Sequence, residues 1–293
     1  MNPSTYDHQR QTIELPEGEI SYVKVGVGAP ALFVHGLMLN NAVWRPLIGY
    51  MQTERTCYAP DLLGHGRSLV PKNQNLSLDA QAQMIENFCL KMGFERVDLV
   101  ANDFGGAVAS VFAANNPDLI RTITFTNCDT HYNLGPPADI RQAKKVAEAG
   151  KLGNAVANML DNVDYARAGF PGRGFENPAN LTQELVEELL GPAFSTEVGQ
   201  NQFEHFILAL DEKELAAHTP KLSSLSAPAL LVWGTEDSYF GLPWAFWLRD
   251  TLKGQVSLVE IEGGRLFVQL ERTEEVATAI RVFWKENCSA HQP

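Results

Sequence analysis

Apolar residues recur along the chain in two rhythms. Short, nearly solid apolar runs stand at 31–34, 56–62, 97–101, 120–128, 229–233 and 256–261. Runs of this length, rich in β-branched residues and bounded by turn formers, predict strands buried on both faces of a sheet. Between them lie segments with apolar residues at helical spacing. The clearest is Leu78–Met92, with Ser77 placed to cap its start and Gly93 to stop its end. Residues 11–25 alternate instead, around Pro16-Glu17-Gly18-Glu19, and predict an antiparallel hairpin.

The strand–helix alternation breaks at Asp129. From about 129 to 225 no buried-strand run occurs, and helix-like stretches are interrupted by Pro136-Pro137, Gly169 to Gly174, Pro178 and Gly191-Pro192. Alternation resumes at Ala229. This predicts an α/β fold with a mostly parallel central sheet, helices on both faces, and a helical cap inserted after the strand ending near Cys128. The core is expected at 1–128 and 226–293, and the cap at 129–225.

Composition narrows the function classes. The 293 residues are 45% hydrophobic, enough for a large core, and carry a net charge of −12. An acidic chain with no basic patch is a poor ligand for nucleic acid or anionic membranes. Four cysteines, Cys57, Cys89, Cys128 and Cys288, are widely spaced and predict free thiols in a reducing compartment. The segment Met1–Asp7 has no apolar run of signal-peptide type, and no stretch approaches membrane-spanning length. The expectation is a cytoplasmic monomer or homodimer acting on a small organic molecule.

Candidate chemistry gathers where strands end. Leu99-Val100-Ala101-Asn102-Asp103-Phe104-Gly105-Gly106 reads as a buried strand, a sharp turn and a helix of small residues. Such a turn exposes its apex residue, Asp103, beside free amides of the helix start. Asn102 is expected to face away. His35-Gly36-Leu37 ends another strand, and the Leu37 amide is placed to meet developing negative charge. Asn127 to Asp129 and Asp237 follow two further strands. In an open parallel sheet these ends converge on one cleft. The loop Asp61 to Ser68 matches no phosphate-binding spacing and reads as packing.

The order of His35-Gly36, Asp61-Leu62-Leu63-Gly64-His65-Gly66-Arg67-Ser68, the elbow at Asp103, the helical cap and Trp233-Gly234-Thr235-Glu236-Asp237 resembles the α/β-hydrolase fold, from about residue 12 to 286. Aspartate at the elbow resembles the branch of haloalkane dehalogenases, epoxide hydrolases and fluoroacetate dehalogenases. That resemblance implies Asp103 as nucleophile, forming an alkyl-enzyme ester that a histidine-activated water hydrolyses. It implies Asp237 as the acid orienting the histidine, with Asn127 or Asp129 at the alternative acid position. The amides of Leu37 and Phe104 form the oxyanion hole. No cofactor or metal is implied.

The chain departs from this pattern at one decisive place. The family's Gly-His-Phe-Val-Gln segment here reads Gly264-Arg265-Leu266-Phe267-Val268-Gln269, aligning Leu266 with the histidine. Leucine cannot accept a proton. The halide-holding tryptophan and asparagine are replaced by Phe104 and Leu37, and the cap offers only Tyr132 and Tyr165 as phenolic acids. His131, just past a strand end, is the best substitute base. His35 and His65 read as structural, His205 as packing or cleft-lining, and His8, His218 and His291 as peripheral. Arg265 stands beside the vacant position, and Phe170, Phe175, Phe194, Phe203 and Phe206 suggest an apolar substrate. Three readings follow: an Asp-nucleophile hydrolase with a displaced base, a lyase, isomerase or cyclase using Asp103 as general acid or base, and a binding protein without catalysis.

Overall fold

The computed structural model describes residues 1–211 and 213–288. Eight strands form one sheet: β1 (Arg10–Leu15), β2 (Gly18–Gly26), β3 (Ala29–Val34), β4 (Arg55–Pro60), β5 (Val97–Asp103), β6 (Ile120–Cys128), β7 (Ala229–Gly234) and β8 (Val256–Ile261). Their order is β1-β2-β4-β3-β5-β6-β7-β8. β2 is antiparallel to β1 and β4, and every other pairing is parallel. β5 is buried at all seven positions and β7 at all six, as expected for strands covered on both faces.

Local chemistry sets the element boundaries. Ser77 accepts the Ala80 amide at the start of helix Leu78–Met92, and Gly93 closes it at φ 68°. Near the start of the central strand β5, buried Asp98 accepts bonds from Arg55 Nε (2.7 Å), Arg121 Nη1 (2.9 Å) and Thr122 Oγ1 (2.9 Å). These bonds tie β4, β5 and β6 together, so a buried carboxylate becomes a strand clamp. Asp61 does the same for the loop after β4, accepting the amides of Asn41 and Arg67. A Cβ on Gly66 would lie 2.5 Å from the Asp61 carboxyl carbon, so that loop closes only over glycine.

Between β6 and β7 the described residues are helical, from Pro137 to Leu222, apart from short 3₁₀ turns and an isolated bridge between Thr130 and Asn133. Arg45 grips Glu188 with two bonds of 2.6 and 2.9 Å, and Asn40 donates to the carbonyls of Glu188 and Leu189. Arg272 grips Glu176, and Tyr239 Oη donates to the Phe170 carbonyl at 3.0 Å. These bonds fix the helical segment over the carboxyl end of the sheet. Cys57, Cys89 and Cys128 are buried free thiols, and the side chain of Cys288 lies outside the described residues. Among the described residues no helix is long and apolar enough to cross a membrane.

Candidate active site

The site is built on the turn from β5 into helix Phe104–Asn115. Asp103 sits at φ 55°, ψ −134°, a conformation L residues rarely adopt and that costs about 1–3 kcal/mol. Two glycines make the turn possible. A Cβ at Gly105 would meet the Val34 carbonyl oxygen at 2.2 Å, and one at Gly36 would meet Asp103 Cβ at 2.4 Å. The backbone therefore folds tightly against the end of β3 and lifts the Asp103 carboxyl into a cavity.

Asp103 Oδ1 accepts the Phe104 amide and, at the outer limit of 3.5 Å, the Leu37 amide. The two amides predicted as an oxyanion hole thus hold the carboxyl group of Asp103 itself. Oδ2 is buried and has no hydrogen-bond partner. The cavity around it measures about 250 Å³ and is lined chiefly by apolar side chains, among them Met38, Leu134, Met159, Phe170, Phe203 and Ile207. Burial pushes the Asp103 carboxyl up to about 7. The Phe104 and Leu37 amides pull it down, and the Asp237 charge adds to the rise.

A second carboxyl group enters the same cavity. Asp129 follows Cys128, which pairs with Asp103 in the β5–β6 ladder. The Asp129 amide donates to the Asp103 carbonyl at 3.3 Å, and its Oδ1 accepts the Gly135 amide. Burial first, and the neighbouring Asp103 charge second, hold this carboxyl well above its ordinary range. The wall also carries the ion pair of Asp139 with Arg173 at 3.2 Å, both half exposed.

The remaining expected site residues separate from this cavity. Asp237 is held outside its lining. Its Oδ2 accepts Asn127 Nδ2 at 2.9 Å and its Oδ1 accepts the Tyr239 amide at 2.8 Å. Burial raises it to about 6, against those hydrogen bonds and the Arg265 charge. Asn127 also bridges the Gly234 amide and carbonyl, so it braces the loop after β7 instead of meeting a substrate. His131 turns away: at φ 50° it stacks on Trp247 with ring centres 4.7 Å apart and bonds Thr219. It is not among the residues that line the cavity.

Other placements differ from expectation for equally physical reasons. His205 lies on the exposed face of helix Glu197–Ala209, and Tyr132 and Tyr165 are 59% and 45% exposed, so none of the three lines the cavity. His35 is buried and structural. Its Nε2 accepts the Leu62 amide at 3.0 Å, and burial lowers its pKa to about 4. Arg265 donates to the Phe175 carbonyl, and Leu266 is fully buried behind the cavity wall. Of the five aromatic residues, Phe170 and Phe203 line the cavity, while Phe175, Phe194 and Phe206 pack behind it.

Sequence reasoning missed the work of Asn102. Its Nδ2 donates to the carbonyls of Thr126, Asn127 and Leu266, and its Oδ1 accepts Gln269 Nε2 at 2.9 Å. This fully buried amide fastens the Leu266 segment to the ends of β5 and β6. An asparagine one residue before a turn apex was the available signal.

The family model for the alpha/beta hydrolase fold matches residues 30–273. The chain belongs to the alpha/beta hydrolase fold family. Within it, haloalkane dehalogenase 2 of Mycobacterium tuberculosis is 25% identical over 292 residues, covering 95% of this chain and 96% of that protein. An alpha/beta hydrolase fold protein from Burkholderia ambifaria superposes with a TM-score of 0.80 at 21% identity, over 92% of this chain and 96% of that one. Haloalkane dehalogenase DbeA from Bradyrhizobium elkani gives 0.78 at 20% identity, over 96% and 99%. In this alpha/beta hydrolase the elbow, sheet and covering helices are those of the family, while none of the described cavity-lining residues is a histidine.

Proposed function

We propose that this alpha/beta hydrolase family member is an enzyme that moves a proton on a small, largely apolar organic substrate. Asp103 Oδ2 is the general acid and base, and no water is added. The observation that carries this reading is the state of the Asp103 carboxyl. One oxygen is pinned by backbone amides, the other is buried without a protein partner in a largely apolar cavity, and burial raises the group to about 7. A proton-transfer catalyst works best when its pKa lies near the working pH.

The same geometry aims Oδ2 at a saturated carbon, and the dehalogenase relative favours that second reading. Alkyl transfer to Asp103 would leave an ester with no imidazole to hydrolyse it, because Leu266 stands at that position. Turnover would stop after one equivalent.

Two measurements separate the readings. In D₂O, deuterium uptake into a panel of small ketones, 1,3-dicarbonyls and nitroalkanes is followed by NMR for wild type and Asp103→Asn. Bromide release from 1,2-dibromoethane is followed alongside intact mass. Exchange that disappears in Asp103→Asn, with no more than one equivalent of bromide released, is the expected result. Sustained bromide release abolished by Asp103→Asn, or exchange indifferent to that substitution, overturns the reading.

A further inference from the structure

The usual anion-stabilising amides of this fold are already occupied. Phe104 and Leu37 donate to Asp103 Oδ1, so neither is free for the oxygen of a substrate. A substrate whose carbon loses a proton must place its negative charge elsewhere. Of the other polar groups on the wall, Arg173 is half exposed and already paired with Asp139, whereas Asp129 is buried. It stands on the strand end adjacent to Asp103, with 1% exposure, and lines the same 250 Å³ space. The Gly135 amide fixes its Oδ1. The buried Oδ2 of Asp103, without a protein partner, independently offers a ligand atom a free acceptor.

We propose that Asp129 is a second catalytic residue, and that the substrate is an enolisable ketone with a compact apolar body. In its neutral form the Asp129 carboxyl donates a hydrogen bond to the ketone oxygen. Asp103 Oδ2 takes the proton from the carbon next to the carbonyl. The C–H electron pair moves into the new C=C bond, and the carbonyl π pair moves to oxygen under the Asp129 O–H. Return of the same proton from Asp103 to the γ-carbon of a β,γ-unsaturated ketone yields the conjugated isomer, with no net gain or loss of atoms or electrons. This rests on the acid–base reading of Asp103 and specifies its substrate class.

Two facts support the assignment of roles. Burial and the neighbouring Asp103 charge both favour the protonated, hydrogen-bond-donating form of Asp129. A basic carboxylate beside a neutral carboxylic acid in one dry site polarises a carbonyl while removing its α-proton. The walls, from Met159 to Phe203 and Ile207, offer apolar contact to the rest of the molecule.

The test uses cyclohex-3-en-1-one, whose isomerisation to the conjugated enone is read by ultraviolet absorbance. 4-Nitrophenol serves as a dienol mimic whose binding is read by its own spectrum. Wild type, Asp103→Asn, Asp129→Ala and Asp129→Asn are compared. Wild type should isomerise the enone, and Asp129→Ala should lose about 10²-fold or more together with nitrophenol binding. Asp129→Asn, whose amide still donates, should stay within about tenfold of wild type. It also serves should the alanine variant fail to fold. Asp103→Asn should lose isomerisation and keep nitrophenol binding. Activity indifferent to both Asp129 variants, or lost equally in Ala and Asn, overturns the role of Asp129. A wild type that leaves the enone untouched but exchanges other carbon acids overturns the ketone assignment. Isomerisation unchanged in Asp103→Asn overturns the underlying reading of Asp103.

Discussion

Replacing Asp103 by asparagine should stabilise the protein at alkaline pH and not at acid pH. In the folded chain burial raises this carboxyl from 3.8 to about 7. Between those values the folded state keeps a proton that the unfolded chain has released. Raising the pH through that window therefore favours unfolding. A rise of about three pH units corresponds to about 4 kcal/mol of lost stability above pH 7, and to about 1.5 kcal/mol at pH 5. Asparagine is isosteric, tolerates positive φ, and keeps an oxygen for the Phe104 amide. Its NH₂ replaces the unpartnered Oδ2, which costs about 1–3 kcal/mol at every pH. The variant should thus gain about 1–3 kcal/mol near pH 8 and be level with or slightly below wild type near pH 5. Urea unfolding midpoints of both proteins from pH 5 to 8 measure this directly. A stability difference independent of pH refutes the reasoning, since it would mean that Asp103 titrates as an ordinary carboxylate.

Four further outcomes follow from individual contacts. Asn102→Leu strands the Leu266 carbonyl and the Gln269 amide in a dry core and should cost about 2–4 kcal/mol by denaturant unfolding. Gly105→Ala forces a Cβ to within 2.2 Å of the Val34 carbonyl and should lower stability by at least about 3 kcal/mol, or prevent soluble expression. Asp237→Asn keeps one acceptor oxygen and sets its NH₂ against either Asn127 Nδ2 or the Tyr239 amide. It should cost about 1–3 kcal/mol while leaving ketone exchange per folded molecule within about twofold. His131→Ala, outside the cavity, should leave exchange within about twofold; a tenfold loss would restore it as a base.

The sheet was legible in the chain because buried strands leave solid apolar runs and the elbow leaves two glycines after its apex. The hairpin, the Ser77 cap and the Gly93 stop were legible for the same local reasons. The lining of the cavity was not. A helix over the sheet can bury one apolar face against the core and another toward a ligand, and both faces read alike at helical spacing. Phe203 and Phe206 lie three residues apart in helix Glu197–Ala209, yet only Phe203 reaches the cavity, while Phe206 packs edge-on against His65. The direction of His131 was equally hidden, because its positive φ turns the ring toward Trp247. Asp129 was visible as a strand-end acid. What brings it beside Asp103 is the register shift between Asn102 and Asp103 in the β5–β6 ladder, which no residue pattern announces.

Asp237 has a structural role in the loop after β7. Its carboxyl receives Asn127 and the Tyr239 amide, and Asn127 in turn closes both polar groups of Gly234. Removing that acid would unpair a buried network, so its presence needs no catalytic histidine to explain it. Leu266, which the family resemblance aligns with the histidine, is fully buried, and its carbonyl accepts Asn102 Nδ2. The elbow carboxyl is buried and pinned through one oxygen. Burial raises its proton affinity, which under the proposed reading suits it to proton transfer.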